Sequence, residues 1–344
     1  MAFHTAKVCY NGNMTSLAVQ RRRELSGLRP VDPLRDLSAI ADLIQASFPD
    51  DLDQSGYAML HEMRTMGRLG AFLWYLGSWS SSLNPMLSGF VWVEDGRIVG
   101  NVTVNQSPYA SDRWTISNVA VAHEYRGRGI ARGLMNAALE MIREAGGRIA
   151  ALQVRDDNAV ARHIYETMGF RVVCGTVYLQ NDQILRYGEA QPSDFHLYRL
   201  TSADAESAYR LARIATPLIV QAEWPVRRGH YRFGLGRLLV DQLYKLLGKV
   251  PTLRLAVRDI DNLRAMMIVH SNSRNIPQVE IIVHPDERGH FEQVLVARAL
   301  QHVHRWGGHS AIAHHPTYHP EGIAAFIAAG FRIKRTLLLM TREV

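Results

Sequence analysis

The sequence predicts an α/β protein built as two similar domains in tandem. Three observations carry this expectation. The chain has 344 residues, too many for one ordinary domain and comfortable for two. Short apolar runs of strand length alternate with stretches whose apolar residues recur at helical spacing. A basic glycine turn, a double glycine and a Gly-Phe pair each have a counterpart about 160 residues further on, the mark of an internal repeat.

The first half reads β-α-(α)-β-β-β-α-β-α-β. Leu28, Arg29 and Pro30 begin a strand that turns at residues 31–33. Ala39, Ile40, Leu43, Ile44 and Phe48 then follow the helical period, and Pro49-Asp50-Asp51 closes that helix. Residues 54–88 are rich in methionine and aromatics (Met59, Met63, Met66, Trp74, Tyr75, Trp79, Met86), a stripe that reads first as core. Residues 90–104 read as a hairpin, with Asp95-Gly96 supplying the positive φ of its turn. A strand at 114–121 runs into Arg126-Gly127-Arg128-Gly129. Beyond it Ile130, Leu134, Ala138, Met141 and Ile142 mark one face of a helix that ends at Gly146-Gly147. The apolar run 149–154, a helical stretch through Asn158, Ala161 and Tyr165, and Gly169-Phe170 lead to a last strand at 171–179.

Strand, glycine turn and helix N-terminus together make a candidate anion site. Glycine lets the backbone approach a ligand, and the first helical amides have no intrahelical partner. Arg126, Arg128 and Arg132 add positive charge. The order of strand, basic glycine turn, helix, strand, Asn158, Tyr165 and Gly169-Phe170 resembles the GCN5-related N-acetyltransferase (GNAT) superfamily. Arg126-Gly127-Arg128-Gly129-Ile130-Ala131 fits that family's Gln/Arg-x-x-Gly-x-Gly/Ala acyl-CoA signature at every specified position.

The resemblance implies two GNAT-type domains, each a mixed, mostly antiparallel central sheet flanked by helices. It covers nearly all of the chain past residue 28: an arm at 1–27, a domain with the acyl-CoA site at 28–182, a polar linker at 183–194 and a second domain at 195–344. It implies acetyl-CoA as cosubstrate and direct transfer of acetyl to an amine. Main-chain groups of Val119, Ala120 and Val121 would hold the pantetheine, and one amide there would stabilise the tetrahedral oxyanion. Amides of Arg126, Gly127, Arg128, Gly129, Ile130 and Ala131 would hold the pyrophosphate. Asn158 would meet the pantetheine arm or the loop around it. Tyr165, with an unperturbed pKa of about 10, would be the general acid toward the departing sulfur. Residues 54–88 lie where the family places the helix and loop that cover the acceptor. Many relatives carry a glutamate on the strand before the glycine turn, whereas this strand shows Ser117 and Asn118, and the general base stays open. That gap keeps a rival reading alive, a non-catalytic acyl-CoA-binding or regulatory protein.

The second half starts again at 195–200, continues through a helix with Ala205, Ala208, Leu211 and Ala212, and forms a hairpin at 253–269 around Asp261-Asn262. Its glycine turn reads Arg288-Gly289-His290-Phe291-Glu292 and is one residue shorter. Phe291 falls where Gly129 would be, Glu292 adds negative charge, and Phe326 and His319 stand in for Tyr165 and Asn158. The second copy is therefore expected to fold without a cofactor site.

Net charge is +7 and the pI about 9.5, which suits an anionic partner such as coenzyme A. The arginines are dispersed and no helix-turn-helix, zinc-finger or RRM signature occurs, so no nucleic acid is expected. Residues 69–93 lack charge, but their polar, proline-broken middle argues against a membrane span. Two cysteines, Cys9 and Cys174, without framework spacing suit a reducing cytoplasm, and neither falls in the motif. Eight of the fifteen histidines lie between His284 and His319, without a sharp metal motif such as H-E-x-x-H, and read as surface and core residues.

Overall fold

A computed structural model describes residues 26–49, 54–77, 88–184, 195–232, 250–260, 262–271 and 276–344, with the side chains of the second helix described over 56–67. The first 25 residues, the side chains of Trp74, Tyr75, Trp79 and Met86, most of the linker and Asp261 lie outside the described residues. Contacts group the chain into two compact units, Met1–Ala150 with Glu343–Val344, and Ala151–Arg342.

In the first unit four strands lie in chain order: β1 (Gly27–Pro30), β2 (Gly89–Glu94), β3 (Arg97–Gln106) and β4 (Arg113–Val121), each antiparallel to the next. The β2–β3 hairpin turns at Asp95 and Gly96, both with positive φ (47° and 77°), as that sequence pair demands. Helix α1 (Leu37–Ser47) buries Leu37, Ile40, Ala41, Leu43 and Ile44. These residues pack with Leu60 and Met63 of α2 (Gln54–Gly77) and with Val91 and Val93 of β2. Met59 and Met66 close over the same cluster, so this part of the methionine stripe is core.

A bidentate pair ties β1 to α1: Arg29 Nη1 and Nη2 donate to Asp36 at 2.6 and 2.8 Å, and the Asp32 amide donates to the same carboxylate. The hydrogen bond to Asp36 also raises the Arg29 pKa above its ordinary value.

Helix α3 (Ile130–Glu144) buries Ile130, Leu134, Met135, Ala138, Leu139 and Ile142, a wider stripe than the sequence period alone marked. It sits tightly on the sheet because Gly100 of β3 has no side chain. A Cβ there would meet Ile130 Cγ2 at 2.9 Å and Leu134 Cδ1 at 3.0 Å.

Among the described residues the second unit contains eight strands, in the order β5-β12-β6-β11-β10-β9-β8-β7. They are β5 (Ile149–Arg155, entering from the unit boundary), β6 (Arg171–Asn181), β7 (Tyr198–Arg199), β8 (Leu253–Asp259), β9 (Asn262–Ser271), β10 (Pro277–Val283), β11 (Ala311–Pro316) and β12 (Arg332–Glu343). Within 195–200, where the second half starts again, the strand is only two residues long. Helices α4 (Ala159–Thr167), α5 (Ala205–Ala215), α6 (Leu218–Glu223), α7 (Glu292–Arg305) and α8 (Pro320–Ala328) complete the described elements.

The repeats trade their closing strands. β6 ends the first repeat in sequence, yet it lies between β12 and β11 and pairs antiparallel with both. β12, which ends the second repeat, lies beside β5. Val177 and Leu179 of β6 are buried in a core built mostly by the second repeat, with Leu295, Val296, Ala299, Leu300 and Val303 of α7 and with Phe326. Each such buried aliphatic contributes roughly 1.5–3 kcal/mol. Side chains fasten the exchange: Thr317 Oγ1 accepts from the Gly175 amide at 2.8 Å, and Asn181 Nδ2 donates to the Ala329 carbonyl at 3.1 Å. Among the described residues no helix is long and apolar enough to cross a membrane.

Candidate active site

The site begins with an irregularity in β4. Gly100 and Asn101 of β3 face Val121 and Ala120, but Thr103 faces Ser117, so β4 carries one extra residue. Asn118 takes the left-handed conformation that this bulge requires (φ 52°). Two side chains hold it. Buried Asn101 donates to the Asn118 carbonyl at 3.0 Å, and Asn118 Nδ2 donates to Thr103 Oγ1 at 3.3 Å. The bulge breaks regular pairing immediately before Val119, Ala120 and Val121, of which Ala120 is buried and the other two half-buried.

Beyond it a single 3-10 turn (His123–Tyr125) delivers the chain to Arg126. Gly127 and Gly129 both have positive φ (77° and 79°), and a Cβ on either would meet nothing within 4 Å. The two glycines therefore serve backbone shape and leave open space over the turn. Gly129 is the N-cap of α3, makes no side-chain cap, and no acidic residue occupies the first helical turn. Among the described residues no carboxylate fills the orphan amides of this helix N-terminus. Arg126, Arg128 and Arg132 stand exposed around it; Arg128 lies 4.8 Å from the Tyr125 ring centroid.

The second copy shows what filling that end looks like. Three of its glycines repeat the left-handed φ of the first: Gly289 (90°) matches Gly127, Gly307 (76°) matches Gly146, and Gly330 (87°) matches Gly169. Phe291, at the position of Gly129, is right-handed (φ −108°) and packs edge-on against Phe195. Glu292, only 2% exposed, turns its carboxylate back onto the turn and accepts from the amides of Gly289 (2.9 and 3.0 Å) and Phe291 (3.2 Å). His319 Nε2 meets the same carboxylate at 2.8 Å, and His315 Nε2 meets His319 Nδ1 at 3.0 Å. Burial opposes ionisation of Glu292, but the hydrogen bonds from His319 and the Gly289 amide outweigh it and hold the carboxyl below its ordinary pKa. The second glycine turn is occupied by its own helix.

Asn158 and Tyr165 belong to the second unit. Asn158 is the N-cap of α4, its Oδ1 accepting from the Ala161 amide at 3.0 Å. His319 holds the same N-cap position on α8, and fully buried Phe326 follows it as Tyr165 follows Asn158. The Tyr165 ring is buried and edge-on to Phe170, and its hydroxyl makes no hydrogen bond among the described residues. Burial pushes its phenol up to about 12, so the proton stays in place over any ordinary working pH. Cys174 on β6 is buried and its thiol is pushed up to about 11, which leaves it without thiolate character. Two features escaped the sequence reading. One is the Glu292–His319–His315 chain. The other is Glu280 on β10, at the repeat position of Asn118, whose carboxyl burial pushes upward.

Residues 39–170 match the acetyltransferase (GNAT) family model. These residues belong to the GNAT family. Streptothricin acetyltransferase of Streptomyces lavendulae is 38% identical over 104 residues, covering 30% of this chain and 51% of that protein. Mycothiol acetyltransferase of Rhodococcus jostii (strain RHA1) is 29% identical over 185 residues, covering 48% of this chain and 61% of that one. The matches thus span between half and two thirds of those relatives' own lengths. The GNAT fold itself extends through both repeats. A GCN5-related N-acetyltransferase from Sphaerobacter thermophilus superposes with a TM-score of 0.58 at 17% identity, over 92% of this chain and 95% of that one. A tandem GNAT protein from the clavulanic acid biosynthesis pathway does so with 0.52 at 16% identity, over 92% and 98%.

The buried histidine chain predicts acid sensitivity. Burial, reinforced by its neighbour His319, pushes His315 down to about 3. Its ordinary value is 6.5, so the unfolded chain takes up a proton that the folded chain refuses. Stability is full above pH 6.5 and falls as pH drops toward 3, with a slope of up to about 1.4 kcal/mol per pH unit from this residue. Denaturant midpoints measured from pH 7 to pH 4.5 should fall for the wild type and fall less for His315→Gln. Parallel curves would remove His315 from the account.

Proposed function

We propose that the chain is an acetyl-CoA-dependent N-acetyltransferase whose first repeat, residues 28–182, holds the thioester and passes acetyl directly to an amine. The second repeat, 195–344, is a folded copy without a working cofactor site. The observation that supports this most is the contrast between the two glycine turns. The turn at 126–131 keeps an uncapped helix N-terminus ringed by arginine, and the turn at 288–292 is closed by the Glu292 carboxylate.

In this reading the amides of Arg126, Gly127, Arg128, Gly129, Ile130 and Ala131 take the pyrophosphate, as an anion fits a helix N-terminus. The bulged segment Val119, Ala120 and Val121 supplies main-chain contacts to the pantetheine and an amide for the oxyanion. Asn158 and Tyr165 join this set through the family's pattern. With its phenol pushed up to about 12, Tyr165 acts as a held donor that hydrogen-bonds the departing sulfur and releases its proton only as thiolate charge develops. The amine nitrogen adds to the acetyl carbon to give the tetrahedral oxyanion, and collapse of that oxyanion breaks the carbon–sulfur bond. The amine loses a proton, and sulfur gains the one that Tyr165 gives. β4 carries no carboxylate, so the amine either arrives neutral or loses its proton to water.

Gly129→Phe, which copies the residue of the second turn, tests the cofactor assignment. At acetyl-CoA one hundred times its Kd, the wild type should gain about 2.7 kcal/mol and melt some 5–10 °C higher in the transition that contains the turn. The variant should show no rise. A rise that survives the substitution moves the cofactor elsewhere, and no rise in either protein supports neither cofactor binding nor catalysis. A second test follows once an amine screen has found an acceptor. Tyr165→Phe should lower kcat by about a hundredfold or more with little change in the KM for acetyl-CoA, judged by release of free thiol. An unchanged kcat would exclude Tyr165 as the acid.

A further inference from the structure

The second unit carries a hollow that the acetyl-transfer reading does not use. It lies between α5, α6 and the turn Arg228–Tyr231, and has a volume of about 560 Å³, within the range of small-molecule sites. Its walls include Tyr209, Arg210, Arg213, Ile214, Leu218 and Arg228. None of these belongs to the glycine turn of either repeat.

Two features define what would fit. The first is charge. The lining holds three arginines against one acid, Glu206. Glu206 approaches Arg228 at 3.5 Å with both side chains more than half exposed, an arrangement that neutralises little. The guanidiniums of Arg228 and Arg213 lie 5.1 and 5.9 Å from the centroid of the same Tyr209 ring, so two positive charges converge on one wall. Arg210 also lines an adjoining hollow of about 170 Å³ together with Arg264 and His284, but there Arg264 is offset by Asp259 and Glu287, at 3.0 and 3.7 Å.

The second feature is apolar surface left open beside that charge. Ile214 is 50% and Leu218 80% exposed, a high exposure for large aliphatic side chains next to a concavity. The wall that bears them is fixed rather than loose. Gln221 Nε2 donates to the carbonyls of Arg213 and Thr216 at 2.9 and 2.7 Å, and Thr216 Oγ1 donates to the Ala212 carbonyl at 2.9 Å. These bonds lock the bend between α5 and α6 and spend the polar groups that would otherwise compete for a ligand.

We propose that this hollow binds a small organic anion, a phosphate or carboxylate attached to an apolar body. The anionic group is held by Arg213, Arg228 and Arg210, and the apolar body lies on Ile214 and Leu218. The arginine fork matches either oxyanion geometry, so both sources remain within the one chemistry.

The experiment is calorimetric titration of the full chain carrying Gly129→Phe, so that the glycine turn of the first repeat does not contribute. The probes are phenyl phosphate, phenylacetate and inorganic phosphate. Saturable binding of one aromatic anion, at least tenfold tighter than inorganic phosphate, is expected. The tighter of phenyl phosphate and phenylacetate identifies the anionic group. Arg213→Gln and Arg210→Gln should each weaken binding about tenfold or more, as loss of a charge-assisted contact does. Leu218→Ser should weaken the aromatic probes and leave inorganic phosphate unchanged. All three positions are surface-lining, and an unchanged melting curve for each variant separates lost binding from lost folding. No saturable binding, equal affinity for inorganic phosphate, or binding indifferent to both arginine substitutions would overturn the proposal.

Discussion

Backbone amides at the start of a helix need a negative partner, and much of this molecule's organisation follows from how its two copies meet that need. In the second repeat the partner is internal. Glu292 folds back onto the amides of the turn that enters its helix and is in turn gripped by His319, so this turn is a finished piece of core. In the first repeat nothing in the described chain plays that part. Gly129 takes the cap position without a side chain, and the following turn carries no acid. An unfilled helix end costs stability unless water or a ligand meets it, and arginines gathered around it favour an anion.

The same pair of turns explains why one residue can separate a binding loop from a structural one. Gly129 leads into α3 in the left-handed conformation, with open space where a Cβ would stand. Phe291 is right-handed in the matching place of the shortened turn, and its ring is held by Phe195. Loss of the second left-handed position goes with gain of a carboxylate that fills the turn.

The exchange of β6 and β12 gives the second copy a reason to persist. Val177 and Leu179 complete a core that the second repeat does not complete alone, and β12 returns the debt beside β5. Repeats joined in this way depend on each other for buried area, whatever chemistry each retains.

Much of this was legible in the sequence. The helical stripes, the Asp95-Gly96 hairpin and the repeated glycines were readable because positive φ and apolar period leave local signatures. The strand exchange was not readable. A strand such as 171–181 presents the same alternation whichever neighbour it pairs with, and its partner is settled by non-local packing. Glu292 read as an added repulsion at the turn, since sequence shows its charge but not the direction its side chain folds. His315 and His319 read as ordinary surface or core histidines, and their link appeared only when β11 and α8 brought them together. For Tyr165 the sequence offers only the ordinary phenol pKa, and burial, which sequence does not quantify, moves it upward.

The most direct test of the central claim is the stoichiometry of acetyl-CoA binding to the intact chain, measured by isothermal titration. One open turn and one closed by its own Glu292 predict one molecule per chain. Two molecules per chain would mean that Glu292 yields to a cofactor and that the second repeat is a working copy. Binding of none would leave the first turn an anion site for something else.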